Sequence, residues 1–469
     1  MGLVVATQPP IVTTILFAFV SLLVLTFISP IVALGALLIL SPLRTLIATE
    51  LPVQLPFDIG QITLAVFVIV WLIFNIAQRR PLVRLRYSPL LPPLILFIAI
   101  MTINGFVAAS FTAWLTEWLK WILIAVLVVT MLTVVPDHGW QWIAFALVSA
   151  GLSSALVGLY TFLGGSGAEH LLINNRFFRA FGTFGQPNPF GGFMGLMAMP
   201  TAMIALGWLR QLIMIRRQTG RWSFVAGVIT LYYGAATTLI ILGVFISWSR
   251  GAWLGLVAAV IVVLVAMPRK LWQSVIVFTI LIAVGAILWS SDRLPTSITD
   301  RVESATREIF VLTDVRGVDI TANNYAIVER LAHWQASLNM ARSNPWFGVG
   351  FGNFDAVYPA YNLLNWDMSL GHAHNYYLNV LGETGIIGLA AYLTLFIWVI
   401  YQTWQARSHP NVQTRLVIIG LLGTWTYLLV HSLTDNLYVN NLFVHIGVML
   451  GLLASLHREV VGREKVRVR

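Results

Sequence analysis

Long apolar runs separated by short polar breaks dominate the chain. A helix needs about 20 mostly apolar residues to cross a bilayer. Stretches of that kind recur at 59–77, 90–109, 114–135, 139–163, 188–208, 224–247, 251–267, 271–290, 376–400, 416–434 and 438–456. Ahead of them an apolar stretch from Ile11 to Leu40 is broken by Pro30, long for one span and short for two. It has no basic leading region, so it does not read as a cleaved signal peptide. The pattern predicts an all-α polytopic membrane protein of about twelve transmembrane helices. Its parts are an N-terminal bundle over 1–178, core helices over 179–290, a large polar loop over 291–372, C-terminal helices over 373–457 and a basic tail over 458–469. No internal repeat of fixed period is visible, so the inverted-repeat signature of many transporters is missing.

Composition agrees. The 469 residues are 58% hydrophobic and 10% charged, against about 45–50% and about 25% in soluble domains. With no cysteine, disulfides, iron–sulfur clusters and thiol nucleophiles are excluded. The net charge of +10 would suit nucleic acid only if the basic residues shared one solvated face. Instead they follow the spans. Arg79, Arg80, Arg84 and Arg86 form one cluster, and Arg210, Arg216, Arg217 and Arg221 a second. Arg269 with Lys270, Arg407 with Arg415, and the tail from Arg458 to Arg469 complete the set. One alternation of spans puts all five clusters in the cytoplasm, as the positive-inside rule requires. That side holds seventeen Lys and Arg against three acids, and the outer side eleven against fifteen. The excess is thus an orientation signal and a contact with anionic headgroups, not a nucleic-acid site.

The outer side carries the chemistry-bearing segments. Arg250 lies between two spans in Ser249-Arg250-Gly251; it reads either as an interfacial snorkelling residue or as a guanidinium fork for phosphate or carboxylate. The helix that follows would present its amide-rich N-terminus outwards, which favours anions. Glu329-Arg330 and His333-Trp334 fall on an amphipathic helix near 324–342, ended by Pro345. Gly348, Gly350 and Gly352 alternate, but no strand precedes them and no P-loop lysine follows; a tight loop fits better than a nucleotide site. His372, His374 and Asn375 stand where the next span begins, with Asn375 a good N-cap and His374 a candidate general base. His333, His372, His374 and Asp367 lack the regular spacing of a metal site, and the expectation is no metal. Glu117 with Lys120, and His431 with Asp435, are read as structural pairs. Glu383, deeper on the helix of His374, anchors a neighbour or orients an acceptor.

Together these residues resemble the O-antigen ligase and polymerase superfamily. The matching pieces are His374-Asn375, nine residues, then Gly385-Ile-Ile-Gly388; Arg179-Ala-Phe-Gly-Thr-Phe-Gly-Gln-Pro-Asn188; Ser249-Arg250-Gly251; Arg330 with Trp334; Pro345-Trp-Phe-Gly-Val-Gly-Phe-Gly-Asn-Phe354; and His431-Ser-Leu-Thr-Asp435. The resemblance implies a C-type glycosyltransferase, a multi-pass protein of the bacterial inner membrane with its site facing the periplasm or exterior and its C-terminus in the cytoplasm. Such enzymes move a glycan from undecaprenyl diphosphate to a hydroxyl of a lipid A core, a growing glycan or a protein, without cofactor or metal. A flippase and a chain-length regulator would be partners; nucleic acid would not. Catalysis would rest on His374, Arg250 and Arg330, and substrate binding on Arg179, Asn188, His372, Asn375, Trp334 and Asp435.

Two other classes fit a polytopic chain: a transporter of small anions or polysaccharide, and a non-catalytic member of an export complex. Transport needs ionisable or unwound sites near the midplane, where Glu383 is the nearest candidate. The three-residue set of Arg250, Arg330 and His374 argues against a purely structural role.

Overall fold

The computed structural model describes residues 24, 29–50, 59–78, 88–134, 139–165, 171–173, 176–290, 314–321 and 324–467; side chains are described as far as residue 457, except at 50, 134 and 289. The helices are α1 (Pro30–Leu40), α2 (Arg44–Glu50), α3 (Ile59–Ala77), α4 (Leu91–Asn104), α5 (Phe111–Val134) and α6 (Trp140–Phe162). A two-residue antiparallel pair follows, β1 (Leu172–Ile173) with β2 (Phe177–Phe178). Then come α7 (Pro187–Thr219), α8 (Phe224–Ile246), α9 (Arg250–Ala266), α10 (Leu271–Ser290), α11 (Tyr325–Ser343), α12 (Phe354–Val357), α13 (Tyr376–Ala406), α14 (Val412–His431) and α15 (Leu442–Arg467). The protein is predominantly helical. Among the described residues nine helices are long and apolar enough to cross a membrane, and three shorter apolar helices accompany them, at Leu91–Val107, Arg250–Ala266 and Leu442–His457.

Pro30 opens α1, as its fixed φ and missing N–H allow at a first helical position. Residues 1–23 and 25–28 before it, the cluster Arg79–Arg86 and positions 291–313 of the large loop lie outside the described residues. The expected helix near 324–342 forms as α11, with Asn344 and Pro345 beyond its last turn.

Small residues let the central helices approach closely. Gly191 and Gly195 of α7 have no room for a Cβ against Ser247 and Tyr427, the usual way helix backbones meet in a bilayer. Pro200, inside α7, leaves the Leu196 carbonyl without its helical donor. The Thr424 hydroxyl of α14 supplies one at 2.9 Å, so the break is satisfied by the neighbouring helix.

The predicted cytoplasmic clusters that are described gather at one end of this bundle. Arg415 donates to the carbonyls of Arg407, at 3.1 Å, and Met267, beside Arg269 and Lys270. Gln413 donates to Gln211, next to Arg210, at 3.0 Å. The candidate chemistry lies at the opposite end, called here the loop end.

Candidate functional site

The site rests on a broken helix. Gly385, inside α13, has φ 64 and ψ −166, far from helical values. A break there removes the donors of the Gly382 and Glu383 carbonyls and the acceptors of the Ile386 and Ile387 amides. All four groups find partners in the loop that leaves α11. Val349 N–H donates to Gly382 O at 3.1 Å and Gly350 N–H to Glu383 O at 2.8 Å. Ile386 N–H donates to Pro345 O at 2.8 Å, and Ile387 N–H to Trp346 O at 3.4 Å. The Glu383 carboxylate then accepts the N–H groups of Gly352, at 2.9 Å, and Phe354, at 3.0 Å. Gly348 and Gly350 hold left-handed φ values of 64 and 108 where a Cβ would run into Glu383 or Ala108. The alternating glycines therefore serve close backbone approach, and Glu383 pins the loop.

Two buried asparagines fix the same loop from the other side. Asn104 of α4 donates to Phe347 O at 2.6 Å and accepts from Phe351 N–H at 2.5 Å. Asn353 accepts from Ser110 N–H at 2.5 Å. The sequence reading passed over Asn104 and had Asn353 only as part of the Pro345–Phe354 motif; the available signal at Asn104 was a polar amide closing the apolar run of α4.

On this frame sits His374, in the left-handed region at φ 53. That is uncommon for a residue with a side chain, and such strain collects at functional sites. Asn375 caps α13 as expected, its carboxamide oxygen accepting from Tyr377 and Leu378 N–H, each at 3.1 Å. His374 Nδ1 lies 3.5 Å, and His372 Nε2 3.7 Å, from Asp435 Oδ1. Both ring nitrogens of His374 are buried and have no hydrogen-bond partner among the described residues. His333 meets His374 edge-on, with ring centroids 5.9 Å apart, and stacks on Tyr358 at 5.0 Å.

The expected pair of His431 with Asp435 does not form between side chains. Tyr427 OH takes His431 Nδ1 at 2.9 Å, while the Asp435 carboxylate turns to the two loop histidines. The reason is local: α14 ends at His431 and the chain turns, so Asp435 leaves the helical face that spacing alone assigned it. The Glu117–Lys120 pair does form, at 2.5 Å.

The arginines arrive from separate elements. Arg179 follows β2 and donates through Nε to Ser247 O and through Nη2 to Asn188 Oδ1, each at 3.3 Å. Arg250 is the first residue of α9, after Trp248 at φ 56. Its neighbour Gly251 packs against Thr434 and His431 with no space for a Cβ, which brings the start of α9 to the turn that bears Asp435. Arg330, on α11, is close enough to His372 and His431 for its charge to act on both. Trp334 points elsewhere: it is 1% exposed, in an apolar cluster with Leu331 and Trp366.

Burial, with the charges of His374, His333 and Arg330 behind it, pulls His372 down to about 4 despite Asp435. Burial lowers His333 as well. Asp435 is pushed up by burial, but the close approach of His374 and the charges of the His372, His374 and His431 imidazoles outweigh that and hold it below the usual carboxylate range. The site at neutral pH thus pairs an anionic carboxylate with a neutral His372. The donor atoms of His372, His374 and Asp435 lie within 4.8 Å of one another, a spacing that can also hold a metal ion.

No curated protein matches the sequence. Residues 235–393, from α8 through the large loop to the middle of α13, match the family described as O-antigen ligase. That match takes in Arg250, Arg330, His374 and the broken helix, and supports placing the chain in the O-antigen ligase and polymerase superfamily.

Proposed function

We propose that the protein is a membrane glycosyltransferase of the C type, with about twelve spans. It moves a glycan from undecaprenyl diphosphate to a hydroxyl acceptor on the extracytoplasmic face, as an O-antigen ligase or polymerase. The observation that carries the reading is His374: strained, with both ring nitrogens buried and without a hydrogen-bond partner among the described residues, 3.5 Å from an anionic carboxylate. In the proposed step the acceptor oxygen attacks the anomeric carbon and inverts it while its proton passes to His374. The bond to the diphosphate breaks, and its electron pair leaves on the phosphate oxygen. Asp435 steadies the imidazolium as it forms, as carboxylates do for catalytic histidines elsewhere. Arg250 and Arg330 bind the departing diphosphate; this assists the rate only where the hold tightens in the transition state. Arg179 and Asn188 position the donor, and His372 the acceptor.

The test is transfer by purified full-length protein in detergent, with a lipid-linked oligosaccharide and a hydroxyl acceptor. Glycan must leave the carrier in the wild type and stay on it in His374→Ala. A transporter or a non-catalytic partner would leave the donor untouched in both.

One observation favours a second reading, in which His372, His374 and Asp435 hold a divalent cation. Elemental analysis of protein purified without chelator, and transfer after dialysis against EDTA, separate the two. Stoichiometric metal and lost activity, restored by the ion, would replace the base role of His374 with that of a ligand.

A further inference from the structure

Four arginines gather at the end of the bundle opposite the loop end, away from the proposed reaction. Arg415, in the first turn of α14, donates through Nε to Arg407 O, at the cap of α13, and through Nη2 to Met267 O, at the cap of α9. The charges of Arg269, Arg407 and Arg210 all act on it. The Arg407 guanidinium lies 3.8 Å over the Trp404 ring and gives Nη1 to Trp404 O at 3.4 Å. Its Nε is buried and has no hydrogen-bond partner among the described residues. Its Nη2 and the Nη1 of Arg415 likewise donate to no described residue.

This group differs from a basic loop that only sets orientation. Such loops keep their charges in water, whereas Arg407 and Arg415 are each 8% exposed. Among the described residues no carboxylate lies within ion-pair distance of any of the four. The two helix C-termini that Arg415 caps carry about half a negative charge each, which offsets about one of the four positive charges. The remainder calls for a counter-ion, because buried charge is tolerated when it is paired. Guanidinium forks match carboxylate and phosphate alike, but these come from α7, α14 and the ends of α9 and α13. A ligand among them must accept hydrogen bonds from several sides and bring more than one charge. A carboxylate has two coplanar oxygens and one charge; a phosphate monoester has three free oxygens and about −1.5 to −2. We propose that Arg407, Arg415 and Arg269 bind a terminal phosphate group, with Arg210 adding charge at the edge.

The same chemistry is offered by free phosphate and by a lipid whose head is a phosphate monoester. Thermal midpoints of the full chain in a neutral detergent separate the two sources. One arm titrates inorganic phosphate against chloride at equal ionic strength. The other titrates phosphatidic acid against phosphatidylglycerol, a diester with one charge. At least one monoester or free phosphate is expected to raise the midpoint more than its comparator, and the tighter of the two names the source. Arg407→Gln and Arg269→Gln should each raise the Kd about tenfold, which is about 1.4 kcal/mol. Arg269 is exposed, so its variant keeps the fold, and Arg415 is left in place because it caps two helices. Arg221→Gln removes an exposed charge at the same end but outside the group, and should leave the Kd unchanged. Overturning results are equal response to each ligand and its comparator, wild-type affinity in either arginine variant, or an equal loss in Arg221→Gln.

Discussion

His374 Nδ1 stands 3.5 Å from Asp435 Oδ1, joining residues 61 positions apart at the loop end of the bundle. The first belongs to the cap of α13 and the second to the turn beyond α14, so the contact exists only when both helices are seated. Tyr376 N–H, which donates to Ser432 O at 2.8 Å, locks the same two segments through the backbone. The imidazole is therefore positioned by the packing of the membrane helices.

Loss of the proton acceptor should dominate the mutational response. His374→Ala is expected to slow transfer by about 10²–10⁴, with donor binding nearly unchanged. Asp435→Asn acts through His374 and should cost about 10–100-fold, as outer partners of functional histidines do. Single-turnover rates with radiolabelled donor read both, and an Asp435→Asn loss larger than that of His374→Ala would reverse the assignment.

Arg250 is proposed to meet the diphosphate with two parallel N–H groups. Arg250→Ala should lose about 10²–10³ in rate, and Arg250→Lys should recover only a small part, because an ammonium lacks the fork. Full turnover by the lysine variant would remove the bidentate clamp.

Glu383 accepts two backbone N–H groups from the loop. Glu383→Gln keeps the shape but turns a donor toward one of them, which should cost on the order of 1–3 kcal/mol. Expected readings are a lower thermal midpoint and faster amide exchange over Gly350–Phe354. Unchanged exchange there would show that the carboxylate does not hold the loop.

Gly350 gives a sharper version of the same test. At φ 108, with the Ala108 side chain 2.9 Å from where a Cβ would sit, Gly350→Ala meets both strain and a clash. Left-handed backbone alone costs roughly 1–2 kcal/mol for a residue with a Cβ. The variant should assemble poorly, and Gly317→Ala, also at positive φ but with open space around it, should show the strain without the clash. Equal yields and midpoints for the two would contradict the close approach.

Acid should destabilise the loop end. His372 sits near 4 in the fold against 6.5 when free, so between those values the unfolded chain binds a proton that the folded site refuses. Stability then falls as pH drops through that window and returns as pH rises. Asp435, held below its ordinary value of 3.8, acts in the same direction at lower pH. Thermal midpoints between pH 7 and 4 should fall, and His372→Gln should flatten the slope. A midpoint that climbs on acidification would refute the burial of a neutral His372.

The fold was largely readable because a bilayer leaves few choices. Apolar runs mark spans, and Pro30, Asn375 and Pro345 mark the helix ends that the structure shows. The arginines, His374 and Asp435 were legible as types of residue at an interface, and the structure brings the segments that carry them to one end. Which side chain faces which was not. Spacing of four put His431 with Asp435, but spacing describes a helix that continues, and this one stops. The role of Glu383 was hidden for a related reason. Its partners are backbone amides of a glycine-rich loop, and backbone groups leave no trace in side-chain patterns.

The broken turn at Gly385 also constrains how the protein is made. As an isolated segment, 376–406 would carry a carboxylate into lipid at a cost of up to about 2.5–3.5 kcal/mol, with four peptide groups unpaired in a medium that offers no substitute. Every partner it lacks lies in 345–354, about thirty residues earlier in the chain. Synthesis delivers that stretch first, so a folded edge can be waiting when the helix leaves the insertion machinery. The loop acts as an escort for the span that follows it, and the biogenesis of this helix is written into the residues just upstream.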